Sequence, residues 1–436
     1  MKQKLVVIGA GMASGRLLEH LVEDAQDVFD ITVFNAEPCG TYNRIMLSAV
    51  LAGDQTPEDI VTHDADWYAR HGITCRFGDA VEAIDRQRQV VRGAVDEVAY
   101  DKLVIATGST PFILPVPGRD LAGVISYRDL QDTDKMIRAA ATGGQAVVIG
   151  GGLLGLEAAA GLAKRGMNVT VLHLMGHLME RQLDAAAGAL LQHDLEARGV
   201  KILTEATTQA IEGTDRVEAV TLQTGERLSA DLVVMAVGIR PATQIASDAG
   251  LQSERGIIVD KRMITSDPNI FALGECVEFE GHLFGLVAPL YDQAKVVAKG
   301  LLGHEDVFAV QHLATKLKVT GCDLFSAGDF QDGAGREDIV FRHPANAVYK
   351  RLVIEDGRLV GAVMYGDTVD GPWFFDLIRS GRNIEDIRDT LMFGAVYNEG
   401  APPDPHLAVA ALPHKAARAG CNGIYPSNTY ELKAAA

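Results

Sequence analysis

Two glycine-rich turns about 140 residues apart, each preceded by an apolar strand-type run and followed by a helical pattern, constrain this chain more than any other feature. The first lies in LVVIGAGMASG, Leu5 to Gly15; the second lies in AVVIGGGLLGLEAA, Ala146 to Ala159. In strand–turn–helix context such turns aim backbone N–H groups and a helix N-terminus at a pyrophosphate. A single G-x-G-x-x-G is a weak signal. Two in this context predict two dinucleotides, which implies a flavin that receives hydride from a nicotinamide.

The 436-residue chain can build two or three domains with cores of their own. Its 47% hydrophobic and 22% charged residues are those of an ordinary globular protein. A formal charge of −18, from 40 basic and 58 acidic residues, argues against nucleic acid or an anionic membrane as partner. The N-terminus runs straight into a strand with no signal peptide, and no apolar run reaches the roughly 18 residues of a membrane span. The five cysteines (Cys39, Cys75, Cys276, Cys322, Cys421) form no C-x-x-C or C-x4-C pair. That pattern excludes a disulfide framework and a local iron–sulfur site, and it predicts a cytoplasmic protein. Histidines such as His177, His193, His312 and His343 lack metal-ligand spacing, so no metal site is expected.

The predicted elements repeat. Lys4–Gly9, a helix from Gly11 to about Glu23, and Asp30–Phe34 form a first βαβ unit, followed by a loop over Cys39–Ser48 (CGTYNRIMLS). A buried strand at Tyr100–Thr107 then runs into GSTP, Gly108–Pro111, and Pro115–Asp120 (PVPGRD) reads as a crossing between domains. The second βαβ has a helix over Leu153–Arg165, stopped by Gly166, and a strand over Val169–Leu172. Asp231–Val237 leads into GIRP, Gly238–Pro241, so the halves read as copies of one nucleotide-binding design. A strand and turn at Asn269–Cys276 precede a helix from about Leu290 to Leu302. Beyond His304, Lys316–Asp323, Ala347–Ile354 and Arg358–Tyr365 read as antiparallel strands, with helices near Gly371–Ser380 and Ile384–Thr390. The Pro-, Ala- and Gly-rich tail from about Asn398 is expected to pack poorly.

GAGMASG, ATGS, GGGLLGLEAA, AVGIRP and ALGEC occur in this order and resemble the two-dinucleotide, disulfide-reductase-like flavoproteins, in the branch of ferredoxin, rubredoxin and nitrite reductases. TYNRIMLS (Thr41–Ser48), HLMGHLMERQLD (His173–Asp184), GECVEF (Gly274–Phe279), LVAPLYDQAKVVA (Leu286–Ala298) and TKLKVTGCDLFSAGDF (Thr315–Phe330) are similar to one subfamily. It is the FAD/NAD(P)H half of the large subunit of assimilatory siroheme nitrite reductases. The resemblance implies an α/β fold: two Rossmann-like domains, for FAD and NAD(P), plus a smaller α+β C-terminal domain. It divides the chain at 1–112 (FAD domain, first part), 113–241 (NAD(P) domain), 242–308 (FAD domain, second part), 309–395 (rubredoxin-reductase-like domain) and 396–436 (tail). In that subfamily a cysteine-ligated iron–sulfur domain opens near the tail. Here Cys421 remains but Ala419 stands where a second cysteine is expected, so the tail reads as a remnant of that domain's start.

Gly9 and Gly11 are assigned to the FAD pyrophosphate, with Ser14 in the third motif position and Gly15 beside it. For the FAD ribose the candidates are Asn35, directly after the strand, and Glu37, two further on; Glu37 is favoured. The resemblance places Arg44 near the FAD phosphates or flavin ring, where a cation stabilises negative charge; a solvated loop arginine is the alternative. It also implies Thr107 and Gly108 (with Ser109) along FAD, Gly274 and Glu275 at the ribityl chain, and Pro289 and Leu290 at the start of a helix whose dipole faces the flavin. The loop after the first βαβ has no redox disulfide, so electrons leave directly to an external acceptor. Gly150, Gly152 and Gly155 complete the nicotinamide cradle, with Gly238 in the turn that repeats GSTP. The resemblance places Glu157 near the nicotinamide; a helix-surface salt bridge is the alternative. His173 occupies the strand-end position and is neither the carboxylate of an NADH site nor the arginine of an NADPH site, which leaves NADH or NADPH open; Arg181 lies further on, in a segment that also reads as helix.

The leading expectation is an NAD(P)H-dependent FAD oxidoreductase serving a redox-protein acceptor, a siroheme or iron–sulfur nitrite reductase or a ferredoxin-like protein, in nitrite or nitrate assimilation. A homodimer is compatible with this reading. The rivals are a ferredoxin or rubredoxin reductase of another pathway, an NADH oxidase or peroxidase using Cys39, and a non-catalytic FAD scaffold. Stacking and orientation suffice for hydride transfer, so no protein base is required.

Overall fold

The computed structural model describes residues 2–25, 27–310, 314–319 and 321–398. The first parallel sheet has the strand order Ile270–Ala272, Lys102–Ile105, Gln3–Ile8, Phe29–Asn35, Thr74–Phe77. Its central strands are unbroken apolar runs because both faces are covered: Leu5, Val6, Val7, Leu103, Val104 and Ile105 are all essentially buried. Helices Met12–Ala25 and Val287–Leu301 pack side by side against it. The outer strand at 270–272 means that the chain leaves this sheet, builds a second unit and returns.

The second parallel sheet runs Val124–Ser126, Leu232–Met235, Gln145–Ile149, Asn168–Leu172, Val200–Leu203. Its two faces bury alternate residues. Ala146, Val148, Val169, Val171 and Val234 pack with the helices Leu130–Ala141, Leu153–Lys164 and Ala185–Glu196. Val147, Ile149, Leu172, Val233 and Met235 pack under an antiparallel ribbon made of Thr208–Gly213, Val217–Leu222 and Arg227–Ser229.

The two crossings between the units meet. Ser109–Pro111 on the outward path pairs antiparallel with Ile239–Pro241 on the return path. Ala242 N–H donates to Gly108 O and Phe112 N–H to Gly238 O, both at 2.9 Å. GSTP and GIRP, which read as copies of one turn, are therefore hydrogen-bonded to each other.

Five antiparallel strands follow in the order Ala314–Val319, Cys322–Gly328, Arg358–Tyr365, Val348–Glu355, Glu337–His343. One face (Leu324, Tyr349, Val353, Val363, Tyr365) joins the core of the second unit. The other (Phe325, Leu352, Leu359, Met364) is covered by helix Gly371–Ser380 through Phe374 and Leu377. The outermost strand, Glu337–His343, has no alternating apolar pattern and is invisible to periodicity; it forms by register pairing with Val348–Glu355.

Several expectations are corrected. Lys316–Asp323, expected as one strand, straddles a hairpin between two strands, with Gly321 at φ +93°. The helix expected at Ile384–Thr390 is instead a 3-10 turn at Arg388–Phe393. The helix expected from Leu290 starts at Val287, so Pro289 lies inside its first turn, where its missing N–H costs nothing. Arg181 lies in a turn rather than a helix. The tail after Asn398, Cys421 and His312 lie outside the described residues.

Candidate functional site

Each glycine turn separates two jobs. Gly9 (φ +105°) and Gly150 (φ +121°) occupy backbone conformations that side chains rarely adopt, and their N–H groups donate to Phe34 O at 2.7 Å and Leu172 O at 2.8 Å. A Cβ on Gly9 would lie 2.3 Å from Ala106 O, and one on Gly150 2.2 Å from Ala236 O. By contrast, a Cβ on Gly11 or Gly152 would meet nothing within 4 Å. Gly152 is also the N-cap of helix Leu153–Lys164, and no side chain caps that end. Space and unsatisfied N–H donors at a positive helix end suit an anionic pyrophosphate. In the first turn Ser14 takes the third position fully buried, its Oγ donating to Gly11 O at 3.0 Å.

Around the first turn two carboxylates are held by two arginines. Glu37, beyond the end of Phe29–Asn35, pairs with Arg44 and accepts from Tyr42 Oη at 2.8 Å. Arg44 also donates to Tyr42 Oη at 2.8 Å and to Arg128 O at 3.3 Å, so it is no solvated loop arginine. Asn35 turns inward, its Nδ2 donating to Cys39 O at 2.7 Å, which braces the loop and leaves Glu37 as the carboxylate of the strand end. Glu275 pairs with Arg128 and accepts from Ser109 Oγ at 2.7 Å. The loop, the second unit just after strand Val124–Ser126 and the turn after strand Ile270–Ala272 thus form one chain of charge: Glu37, Arg44, Arg128, Glu275.

Thr107 and Gly108 belong to the paired crossings, with Thr107 Oγ1 donating to Ala242 O at 2.7 Å. Gly274 (φ +97°) packs near Ala13 of the first cradle helix and donates its N–H to Gln293 Oε1 at 2.8 Å. Gln293 is fully buried, and its Nε2 has no hydrogen-bond partner. Pro289 and Leu290 are buried in the first turn of Val287–Leu301, whose N-terminal end, at Leu286, also lacks a side-chain cap. Burial pushes the Cys39 thiol up, with Glu37 adding to the shift, which is the opposite of what a thiolate redox partner requires.

In the second unit Gly155 packs helix to turn: a Cβ there would lie 1.9 Å from Gly150 O. Glu157 makes no salt bridge among the described residues, and burial pushes its carboxyl up to about 7. Nearby Tyr127 Oη is buried without a hydrogen-bond partner, and burial, then the Glu157 charge, pushes its hydroxyl well above the usual range and disfavours ionisation. Gly238 (φ +115°) faces open space at the crossing. His173 is buried; Gly151 N–H donates to its Nδ1 at 3.1 Å, and its Nε2 lies 3.2 Å from Glu180 Oε2.

Arg128, Tyr42, Gln293 and Tyr127 escape sequence reasoning. None sits in a glycine motif, and only the fold brings Arg128 beside Glu275. Tyr42 and Gln293 at least lie in the strings TYNRIMLS and LVAPLYDQAKVVA, whereas Tyr127 and Arg128 lie in none. No group of three or more His, Cys, Asp or Glu among the described residues could hold a metal. No helix among them is long and apolar enough to cross a membrane.

Residues 3–297 match the family model described as pyridine nucleotide-disulphide oxidoreductase, and residues 314–382 match the rubredoxin NAD+ reductase C-terminal domain. The chain is 44% identical to a nitrite reductase [NAD(P)H] of Bacillus subtilis (strain 168), over 97% of this chain and 52% of that protein. It is 41% identical to the assimilatory nitrate reductase electron transfer subunit of the same strain, over 88% of this chain and 50% of that one. It therefore spans about half the length of these curated relatives. Among solved structures, the covalent putidaredoxin reductase–putidaredoxin complex aligns with a TM-score of 0.79 at 28% identity, covering 94% of this chain and 99% of that one.

Proposed function

The chain belongs to the pyridine nucleotide-disulphide oxidoreductase family and is an NAD(P)H-dependent oxidoreductase, and from that premise we propose that it is the flavin-reducing module of an electron-transfer chain serving nitrite or nitrate assimilation. In this reading residues 1–112 and 242–308 hold FAD and residues 113–241 hold the nicotinamide. The observation that carries it is the pair of open cradles at Gly11 and Gly152, in two sheets joined by hydrogen-bonded crossings. FAD, when bound, supplies the two-electron acceptor and the means to pass electrons on singly.

The chain's own residues do the rest. Gly11 and Gly152 let backbone N–H groups approach the pyrophosphates, Arg44 and Arg128 supply phosphate-pairing cations, and Glu37 and Glu275 supply acceptors for sugar hydroxyls. Gln293 fixes the Gly274 turn and brings an unused amide donor to it. Glu157 places a carboxyl with an elevated proton affinity on the nicotinamide-side helix. The names of the nitrate and nitrite relatives, and the redox-protein complex of the structural neighbour, support an electron-acceptor protein as partner.

Anaerobic titration with NADH or NADPH tests the reading. The expected result is a yellow protein, about one FAD per chain, bleached by the nicotinamide and reoxidised slowly in air but quickly by ferricyanide. Rapid turnover with oxygen would favour an oxidase, and a flavin that does not bleach would favour a scaffold.

A further inference from the structure

We propose that Glu180 reads the adenosine ribose of the nicotinamide cofactor and makes the second site select a 2′-hydroxyl over a 2′-phosphate, with His173 as the residue that positions it. This rests on the reading of the second cradle as the nicotinamide site.

In a βαβ nucleotide unit the residue after the second strand meets the ribose hydroxyls. Strand Asn168–Leu172 delivers His173 to that place, but its ring is already committed. Gly151 N–H donates to Nδ1 at 3.1 Å, so the ring proton sits on Nε2. The ring also fills the space under the turn, since a Cβ on Gly151 would lie 2.6 Å from its Cγ. His173 offers the ribose no anionic acceptor.

It offers a carboxylate at one remove. Glu180 Oε2 lies 3.2 Å from Nε2, off the line of a formed hydrogen bond, so the hold is electrostatic. The imidazole is 8% exposed and the glutamate 29%, which makes the carboxylate the outer member of the pair. The loop that carries it is tied to the cradle. Met179 N–H donates to Gly151 O at 3.0 Å and Leu183 N–H to Met179 O at 2.9 Å. Met179 takes a left-handed backbone (φ +52°) while fully buried, as is Leu178. Gly151 therefore fixes the 173–183 loop through both its N–H and its carbonyl, and the position of the carboxylate relative to the pyrophosphate turn is set by the fold.

A carboxylate accepts from a ribose hydroxyl and repels a phosphate monoester that carries nearly two negative charges. The one arginine or lysine on this loop is Arg181, exposed and in a turn beside Glu180. It is the residue that would turn the site towards a 2′-phosphate.

The test is binding rather than turnover. Titrating the FAD-loaded protein with NAD+ and with NADP+ by calorimetry should show at least tenfold tighter NAD+ binding. Glu180→Gln should shrink that ratio severalfold, and Glu180→Arg should invert it, with FAD content and circular dichroism unchanged. His173→Asn should lower the ratio in the native background and leave it unmoved on top of Glu180→Gln, which a merely structural role would not produce. Equal affinities in the unaltered protein, or an unchanged ratio in Glu180→Gln, would overturn the proposal. So would an NADP+ preference abolished by Arg181→Ala. If neither nucleotide binds while FAD is retained, the nicotinamide assignment itself fails.

Discussion

At the scale of single residues, the two glycine classes predict opposite defects. Gly152 has extended backbone (φ −84°, ψ −179°) and open space around it, so Gly152→Val should fold, retain FAD and lose reduction by NAD(P)H. Loss of FAD from this variant would show the two cradles assigned the wrong way round. Gly150→Val, by contrast, should fail to fold, because the side chain meets Ala236 O and a φ of +121° is a conformation that side-chain-bearing residues rarely adopt. Glu157 predicts a pH effect. Its folded-state value of about 7 lies above its ordinary 4.5, so the native chain keeps a proton that the unfolded chain has already released between those values. Stability is therefore greatest below that window and falls as pH rises through it. Glu157→Gln should remove the fall, raising stability at pH 8 by about 3 kcal/mol and changing little at pH 4.5. Parallel denaturation curves for the two proteins across this range would contradict the assignment. The glycines were readable in the sequence because their demand is local, whereas the environment of Glu157 depends on burial that no nearby residue announces.

At the scale of elements, the Arg128–Glu275 pair, with side chains 19% and 13% exposed, ties the second unit, just after strand Val124–Ser126, to the turn that follows strand Ile270–Ala272 of the first sheet. Arg128→Ala strands a largely buried carboxylate, at a cost of about 2 kcal/mol, somewhat below that of breaking a fully buried pair. The expected result is a lower denaturation midpoint with earlier release of flavin fluorescence, and an unchanged midpoint would count against the tie. The strands and helices of both glycine units were legible because apolar runs, glycine turns and helical periodicity agree there. The C-terminal sheet was legible only in part. Arg358–Tyr365 and helix Gly371–Ser380 were readable from their own patterns. Glu337–His343 was not, because an edge strand with a largely exposed pattern owes its form to the neighbour it pairs with. The hairpin inside 316–323 was missed for a similar reason: a tight turn between two apolar runs reads as one continuous strand when register is unknown.

At the scale of the whole molecule, the C-terminal sheet is held to the second unit by polar contacts around an apolar face. Asp184 caps helix Ala185–Glu196 through Ala187 N and accepts from Tyr349 Oη at 2.6 Å, while Asp194 accepts from Tyr365 Oη and from Cys322 Sγ at 3.4 Å. Tyr365→Phe leaves Asp194, among the described residues, with the Cys322 thiol as its donor and should cost about 1–3 kcal/mol in urea unfolding while sparing ferricyanide reduction. Loss of dye reduction in this variant would mean that the sheet takes part in the flavin chemistry. The pairing of Ser109–Pro111 with Ile239–Pro241 has a consequence for how such a molecule can be remade. The second unit enters and leaves the first at neighbouring points, so its ends lie together and the path of the first unit does not depend on what stands between them. A unit inserted in this way is a cassette. On the proposed function, the second unit, cut at the two paired strands, is the piece to exchange for that of a relative with another coenzyme preference, provided the exchange keeps the face that meets the C-terminal sheet.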